Sequence, residues 1–290
     1  MTAATGQQDV FTVDFEDWYQ GIELGRAEWD RFESRIEIGT CRLLDLLDAA
    51  DTRATFFILG AAAEKAPDLV REIARRGHEI GTHGYGHEFV YKLGAELFRA
   101  DLQRSLEVLS RLVDTPVRGH RAPYFSITRA SPWAFDVLQE CGITYDSSVF
   151  PVQNYRYGIP DAPRFTHEVR PGLLELPPST WRVAGRNVPV AGGAYFRLLP
   201  YTLTRFGLKR AHAEGEPAVF YLHPWELDPD HPRLPLPRRV ALTHYHNLSE
   251  TQGRLRKLLA EFDFAPAGAV LVKYARHRQW AVGNASVEAL

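Results

Sequence analysis

The hydrophobic and polar positions of the chain follow two alternating patterns. Short apolar runs, typical of buried strands, alternate with longer stretches whose apolar residues recur every three or four positions, typical of amphipathic helices. The pattern predicts strands at residues 10–15, 54–60, 78–81, 116–120 and 143–148, and a last core strand at 218–222. It predicts helices at residues 36–49, 61–76, 98–113, 131–140 and 249–262.

This alternation predicts an α/β fold. Strands that alternate with helices form a mostly parallel sheet or barrel with the helices outside, and the active residues of such folds lie at the carboxyl ends of the strands. Between residues 150 and 200 the pattern loosens, with frequent proline and glycine and one clear strand at 173–176. We interpret this segment as an insertion that forms part of the site wall.

The chain is predicted to form a single domain over residues 1–290, since no internal repeat or low-complexity block divides it. The irregular insertion occupies about residues 150–200. A C-terminal extension, at about 240–290, ends in a tail from Gly283 to Leu290 that we expect to be frayed.

Composition limits the classes of function. The chain is 45% hydrophobic and 24% charged, with a formal net charge of −2, which provides no electrostatic reason to expect a nucleic-acid partner. No apolar run is long enough for a transmembrane segment. The segment from Met1 to Gln8 lacks the basic and apolar regions of a signal peptide. Two cysteines are too few for a disulfide framework, so we expect a cytoplasmic location.

A pair of histidines follows the third predicted strand. His83 and His87 are four residues apart, and Gly84 and Gly86 allow a sharp turn that brings both rings to one side. Two neutral imidazoles that converge on one point make half of a divalent metal site. The alternative is a pair of hydrogen-bonded structural histidines, and we favour the metal site.

Polar or ionisable side chains also follow most of the other predicted strands. Three acids in four positions after the first strand exceed what a turn or a helix cap needs. A histidine that ends the apolar strand 218–222 is costly to bury without a partner, and we favour a catalytic role for it over a structural one. Because the strand ends of a barrel meet at one rim, we expect these groups to converge. They are Asp14, Glu16, Asp17, Arg121, Tyr124, Asp146 and His223.

These residues lie in motifs that resemble a known family. The chain is similar to the polysaccharide deacetylases of carbohydrate esterase family 4, which share the NodB homology domain. More narrowly, it resembles the subgroup found with exopolysaccharide and exosortase loci. The resemblance covers most of the chain. Its motifs are Thr12–Tyr19, Thr55-Phe56-Phe57, His83–His87, Arg121–Tyr124, Tyr145–Ser148, Leu222–Trp225 and His246-Asn247-Leu248.

The resemblance implies a fold, a metal and several roles. The fold would be a distorted (β/α) barrel with about seven parallel strands and outer helices. One divalent metal ion, most simply Zn and otherwise Co or Mn, would be held by one acid and two histidines. By this resemblance His83 and His87 are metal ligands, Asp14 is the catalytic base and His223 is the catalytic acid.

Further roles follow from the chemistry of neighbouring groups. Arg121 is expected to hold the Asp14 carboxylate and keep it ionised. Asp146 is expected to orient His223 and to favour its charged form. The backbone N–H of Tyr124 is expected to donate to the oxyanion that develops during the reaction.

The sequence departs from the family pattern at two positions. The family has two adjacent acids after its first strand, a base and then a ligand, whereas here Phe15 follows Asp14. The third ligand is therefore Glu16 or Asp17, and we favour Asp17 because a short acid at a strand exit resembles the usual ligand. The glycine usual after Arg-x-Pro-Tyr is replaced by Phe125, which makes the cleft wall bulkier and argues against long polymeric substrates.

We interpret the chain as a metal-dependent amidohydrolase that removes the N-acetyl group from an N-acetylated sugar in polysaccharide or exopolysaccharide biosynthesis. The rings of Tyr124 and Trp225 would bind the sugar, with packing as the alternative role. One alternative function is a small-molecule C–N hydrolase on the same fold, similar to allantoinase. Another is a carbohydrate-binding protein without catalysis. The sequence leaves open the sugar, the metal and the oligomeric state.

Overall fold

The computed structural model describes residues 8–277 of the chain. The strands are β1 (Asp9–Phe15), β2 (Thr55–Ile58), β3 (Glu79–Thr82), β4 (Gly119–His120), β5 (Tyr145–Asp146), β6 (His167–Arg170), β7 (Leu173–Glu175), β8 (Thr180–Val183), β9 (Arg186–Pro189), β10 (Val219–Leu222) and β11 (Phe264–Ala265). The helices are α1 (Ile36–Ala49), α2 (Gly60–Lys65), α3 (Pro67–Arg75), α4 (Val90–Ser110), α5 (Ala134–Glu140), α6 (Gly193–Leu198), α7 (Tyr201–Ala213), α8 (Arg238–Tyr245), α9 (Leu248–Glu261) and α10 (Ala267–His277). Short 3₁₀ helices occupy Arg26–Arg31, Pro123–Phe125 and Pro224–Leu227.

The main sheet is mostly parallel. Its strands follow the order β10-β1-β2-β3-β4-β5-β7-β6, and the short β11 pairs with the start of β1. All neighbouring pairs are parallel except β6 and β7, which are antiparallel at one edge. Strands β8 and β9 form a separate antiparallel hairpin. The α/β class predicted from the alternation of elements is confirmed.

The sheet curls so far that the chain after β7 reaches the opposite edge. The N–H of Ser179 donates to the carbonyl of Val219 in β10 at 3.0 Å. The N–H of Val219 in turn donates to Oγ of Ser179 at 2.8 Å. These contacts bring the segment after β7 against β10, so the architecture is a distorted (β/α) barrel, as the resemblance implied.

Strand β1 is buried along its whole length. Phe11, Val13 and Phe15 belong to the largest hydrophobic cluster, which also contains residues of α1, α2, α3 and α9. Thr12 and Asp14 alternate with them and point to the opposite side, where Arg121 contacts both. A strand that is covered on both faces is typical of a parallel sheet. Even-numbered positions of β1 therefore face the barrel interior.

The structure corrects several predicted elements. The helix predicted at 61–76 is two helices, because Pro67 has no N–H and disfavours helical backbone at the preceding residue, Ala66. The segment 150–200 is more regular than predicted, since it contains β6, β7, β8, β9 and α6. Its strands are only three or four residues long and several of their positions are exposed, so they lack a clear hydrophobic period.

Other boundaries agree closely, and helix α1 coincides with the predicted helix at residues 36–49. Of the helices within residues 8–277, none combines the length and the apolar content that are needed to cross a bilayer. The tail predicted from Gly283 to Leu290, and all but the last residue of the segment from Met1 to Gln8, lie outside the described residues.

Helix α1 packs on the turn that follows β10. Gly39 in α1 lies so close to this turn that an added Cβ would be 2.1 Å from the carbonyl oxygen of Pro224. Since the oxygen belongs to the backbone, no side-chain rotation could relieve the clash. The absence of a side chain at Gly39 therefore allows α1 to support the Pro224–Leu227 turn.

We expect Gly39→Ala to lower the free energy of unfolding by about 1–3 kcal/mol, because the added methyl group overpacks this contact. Gly253→Ala is the matched control. Gly253 lies inside α9 with no atom near an added Cβ, so alanine should raise the stability by about 0.5–1 kcal/mol. Denaturant unfolding of both variants measures the two effects, and equal shifts would contradict the packing argument.

Candidate active site

The carboxyl ends of β1, β3 and β10 open into one cavity of about 270 Å³. Its inner end contains ionisable side chains that the sequence analysis selected. They are Asp14, Glu16, His83, His87 and His223. The structure thus brings the histidine pair together with acids from the first strand and a histidine from the last core strand.

Glu16, His83 and His87 form a compact buried cluster. Their possible ligand atoms all lie within 4.8 Å of one another. Nε2 of His87 is 2.5 Å from Oε2 of Glu16, and Nε2 of His83 is 3.8 Å from the same oxygen. This oxygen is buried and makes no hydrogen bond with acceptable geometry. Two imidazole nitrogens and a carboxylate oxygen are ligands that divalent ions such as zinc accept, so the cluster fits a metal ion.

The surroundings of His83 favour the form that binds a metal. Its Nδ1 lies 2.8 Å from the backbone carbonyl of Arg121, to which it donates, so Nε2 carries the free lone pair. Burial lowers the pKa of His83 to about 4, which keeps the imidazole neutral near pH 7.

The loop between the two histidines is held by an acid that the sequence analysis missed. Asp101 in α4 accepts the backbone N–H groups of Tyr85 and Gly86 at 2.7 and 2.8 Å. His87 itself has a φ of 56°, a left-handed conformation that non-glycine residues rarely adopt. Asp101 lies three residues from Phe98, on the apolar face of the predicted helix. An acid on that face was the signal that could have revealed it.

Glu16, and not the favoured Asp17, lies with the histidine pair. Asp17 is instead at the start of α1, where it accepts from Oγ of Ser34 at 2.6 Å and from the N–H of Arg35 at 3.2 Å. Successive residues of an extended strand point to opposite sides. The side chains of Asp14 and Glu16 therefore both point to the barrel interior. The preference for Asp17 as the ligand is wrong.

Asp14 is held by Arg121, as expected. The guanidinium of Arg121 is fully buried, and its Nη1 donates to Oδ1 of Asp14 at 2.7 Å and to Oγ1 of Thr12 at 2.8 Å. Its Nη2 donates to Oγ of Ser147 at 2.7 Å, and its Nε donates to the carbonyl of the same residue. The carboxylate of Asp14 thus accepts a charge-assisted hydrogen bond inside a buried network.

Asp146 does not contact His223. Its Oδ1 accepts from Oγ of Ser148 at 2.6 Å and lies 2.7 Å from Nδ1 of His120. His120 is its direct neighbour in register on β4, whereas His223 follows β10 at the other end of the strand order. The predicted contact between Asp146 and His223 is therefore wrong, because strand order separates the two residues.

The partner of His223 is Glu226, one turn further along the chain. Nδ1 of His223 donates to Oε1 of Glu226 at 2.8 Å, and the backbone N–H of His223 donates to the same oxygen at 3.0 Å. Burial alone would lower the pKa of His223, but this hydrogen bond and the nearby carboxylates of Glu16 and Asp14 raise it to about 9. This pKa favours the protonated form of His223 near neutral pH. In the sequence, this pair could have been recognised because Glu226 follows His223 by three residues, across a turn.

Glu226 is in turn held by Arg197 of α6. Nε of Arg197 donates to Oε2 of Glu226 at 2.5 Å. The remaining guanidinium nitrogens donate to the backbone carbonyls of Thr243, His244 and His246 at 2.7–3.0 Å. Burial would raise the pKa of Glu226, but the charge of Arg197 and the contacts with His223 lower it to about 2. No pattern in the sequence marks Arg197, which lies in the segment predicted to be irregular.

The two aromatic residues selected for sugar binding line the cavity and also pack within the protein. Trp225 is 5% exposed, stacks on His223 with 5.2 Å between ring centres, and donates from Nε1 to Oε1 of Glu16 at 3.3 Å. Tyr124 stacks on Phe89 at 4.3 Å. Contact of either ring with a sugar, and the role of the Tyr124 N–H toward an oxyanion, stay predictions.

Two family descriptions match adjacent parts of the chain. The family described as polysaccharide deacetylase matches residues 30–145, and a domain of unknown function, DUF3473, matches residues 147–272. The resemblance to the polysaccharide deacetylases is thus confirmed over residues 30–145. His83, His87 and Arg121 lie in the deacetylase segment, whereas His223 lies in the segment of unknown function. The candidate site therefore draws on both segments.

Curated relatives are similar to this protein over limited stretches. A peptidoglycan-N-acetylglucosamine deacetylase of Bacillus cereus is 39% identical over 120 residues, which are 37% of this chain and 44% of that protein. A chitooligosaccharide deacetylase of Sinorhizobium fredii is 33% identical over 104 residues, covering 34% of this chain and 44% of that protein. The chain thus spans less than half the length of these relatives.

Solved structures resemble this fold over nearly the whole chain. A structure from Mycobacterium smegmatis, provisionally assigned as a polysaccharide deacetylase, superposes with a TM-score of 0.61 at 22% identity, covering 96% of this chain and 94% of that one. A family 4 pseudoenzyme of Bacillus anthracis superposes with a TM-score of 0.50 at 14% identity, covering 92% of this chain and 66% of that one. Because a pseudoenzyme shares the fold, the fold does not decide activity, and the individual residues must.

We expect Glu16→Gln to weaken binding of Zn²⁺ by more than about tenfold, since even outer partners of metal ligands have effects of that size. Asp17→Asn is the matched control and should leave the affinity unchanged, because its carboxylate contacts α1 instead. Competition with a chromogenic chelator measures both affinities. If Asp17→Asn weakened Zn²⁺ binding and Glu16→Gln did not, Asp17 would be the ligand.

Proposed function

We propose that this protein is a metal-dependent amidohydrolase that removes the acetyl group from an N-acetylated sugar, in polysaccharide or exopolysaccharide biosynthesis. The observation that carries the proposal is one cavity lined by a potential metal cluster, a carboxylate paired with arginine and a histidine hydrogen-bonded to a buried glutamate. The named activities of the relatives, which act on N-acetylglucosamine-containing substrates, support the same reaction class.

Each charged group has a part in hydrolysis of an acetamide. A divalent ion at Glu16, His83 and His87 would supply Lewis acidity toward the acetamide carbonyl and lower the pKa of the attacking water. Asp14 would accept the proton that the water loses as its oxygen bonds to the carbonyl carbon. His223 would donate a proton to the nitrogen as the C–N bond breaks, which releases acetate and the amino sugar.

The positions of Asp14 and His223 suit these separate tasks. Nε2 of His223 lies 3.8 Å from Oδ2 of Asp14, so the base and the acid are neighbours without sharing a hydrogen bond. Arg121 holds the carboxylate of the base, and Glu226 raises the pKa of the acid and orients its Nε2 toward the cavity. The presence of both groups argues against a carbohydrate-binding protein without catalysis.

Asp14→Asn should lower kcat for acetate release from N-acetylglucosamine oligomers by about 10²–10⁴-fold, the usual contribution of a general base. The variant should still bind one equivalent of Zn²⁺, because Asp14 is not part of the proposed cluster. An enzymatic acetate assay with metal added back, together with the metal content, distinguishes loss of the base from loss of the site. Full acetate release by the variant would remove Asp14 from the mechanism.

Glu226→Gln should lower kcat for an N-acetylated sugar by about 10²-fold, the lower limit for a general acid, because His223 loses the carboxylate that keeps it charged and oriented. Hydrolysis of p-nitrophenyl acetate should change little, since p-nitrophenolate leaves without being protonated. The ratio of the two rates is the measurement.

Asp228→Asn is the matched control for this ratio. Asp228 is a buried carboxylate two residues further on, and Arg35 binds it at 2.6 Å, away from His223. Its substitution should leave the ratio of the two rates unchanged. If Glu226→Gln slows both substrates equally, Glu226 only supports the structure.

A further inference from the structure

The cavity continues beyond the cluster to an outer wall of different chemistry. This wall is built by the loop that carries Tyr155 and Arg156 and by one face of α8, which contributes Arg239 and His244. All four residues lie in the segment that matches the domain of unknown function. The outer wall therefore belongs to the part of the chain for which the family comparison names no activity.

The outer wall presents two guanidinium groups. Arg239 stacks over the ring of Tyr155 at 4.4 Å, and no acid forms an ion pair with it within residues 8–277. Arg156 stacks against the same ring at 5.3 Å and is paired with Glu23 at 2.7 Å, which offsets one of the two charges. Nε of Arg156 is buried and has no hydrogen-bond partner. The wall therefore has unused donors and an excess of positive charge.

His244 adds a buried polar ring to the same wall. It is 4% exposed, and its ring is held by stacking on Trp225 at 4.2 Å. Its Nε2 is buried without a hydrogen-bond partner, and no hydrogen bond engages the ring elsewhere in the described part of the chain. A buried polar group without a partner is costly unless a ligand supplies one.

Glu23, which pairs with Arg156, does not line the cavity, and no carboxylate among the described lining residues lies at the outer wall. Among the described lining residues, only Asp14 and Glu16 carry carboxylates, and both are at the inner end. Asp14 is paired with Arg121, and Glu16 is beside the histidine pair. A neutral sugar chain would leave the charge of Arg239 unmatched. A phosphate or a carboxylate would accept hydrogen bonds from its planar guanidinium group.

The size of the cavity favours a small ligand. Its volume of about 270 Å³ lies below the range of roughly 300–1,000 Å³ that holds drug-sized molecules. Tyr155, over whose ring both arginines lie, is 62% exposed, so the outer wall is open to solvent. These features fit one sugar unit with a charged substituent better than the interior of a long neutral polymer.

We propose that Arg156, Arg239 and His244 form a subsite for an anionic group carried by the acetamido sugar. The substrate would then be a phosphorylated or carboxylated N-acetyl sugar, and this inference rests on the deacetylase function proposed above. The acetamide would lie at the inner cluster while the phosphate or carboxylate accepts hydrogen bonds from the outer wall.

The test measures binding, so that it does not depend on turnover. Calorimetric titration of the Asp14→Asn protein with N-acetylglucosamine 1-phosphate should show at least about tenfold tighter binding than with the neutral methyl N-acetylglucosaminide. N-acetylglucosaminuronic acid is the third ligand, and its affinity distinguishes recognition of a carboxylate from recognition of a phosphate. Equal affinity for the neutral and both anionic sugars would overturn the proposal.

Arginine variants locate the subsite. Arg239→Gln should weaken binding of the anionic sugar by about tenfold and leave the neutral sugar unchanged. Arg238→Gln is the matched control, since Arg238 is exposed and adjacent but does not line the cavity. Equal losses in both variants would indicate general surface attraction and would also overturn the subsite.

Acetate release by the unsubstituted protein separates the two proposals. If the anionic sugar binds through Arg239 but no acetate is released from any of the three sugars, the subsite stands and the deacetylase function fails. If acetate is released from the neutral and anionic sugars with equal kcat/KM and Arg239→Gln has no effect, the function stands and the subsite fails.

Discussion

The buried ion pair between Arg121 and Asp14 is the interaction on which the rest of the site depends. A guanidinium without water is costly, and here its nitrogens donate to Asp14, Thr12 and Ser147 instead. These partners come from β1 and from the segment after β5, so the pair ties two distant strands together across the barrel interior. The backbone carbonyl of Arg121 also accepts from His83. One residue therefore positions both the proposed base and one imidazole of the metal cluster.

A second buried arginine performs the corresponding task for the proposed acid. Arg197 binds Glu226, which binds His223, and three backbone carbonyls from the end of α8 and the residue after it hold the guanidinium in place. Arg121 lies in the deacetylase segment, whereas Arg197 lies in the segment of unknown function. The charged groups on the two sides of the cavity are thus fixed by separate parts of the chain. This division explains why the second segment is needed for a complete site.

Much of the fold and part of the site could be predicted from local patterns. The barrel class followed from the alternation of strands and helices, and the histidine pair followed from its spacing and its glycines. Strand alternation places Asp14 and Glu16 on the same side and so favours Glu16 as the ligand, whereas side-chain length favours Asp17. The error at Asp146 had a different origin. No local pattern states that β5 pairs with β4 and lies far from β10 in the strand order.

The sequence by itself determined which elements form and which chemical groups follow the strands, because both are properties of neighbouring residues. Only the tertiary structure decided how those groups pair. Glu16 contacts His83 and His87, which follow it by 67 and 71 positions in the chain. Arg197 contacts Glu226, which follows it by 29 positions. Such contacts depend on strand order, on the curl of the sheet and on which side chains share a buried space. The ion pairs that hold the candidate base and acid arise at that level, since burial is what makes a charged group require its partner.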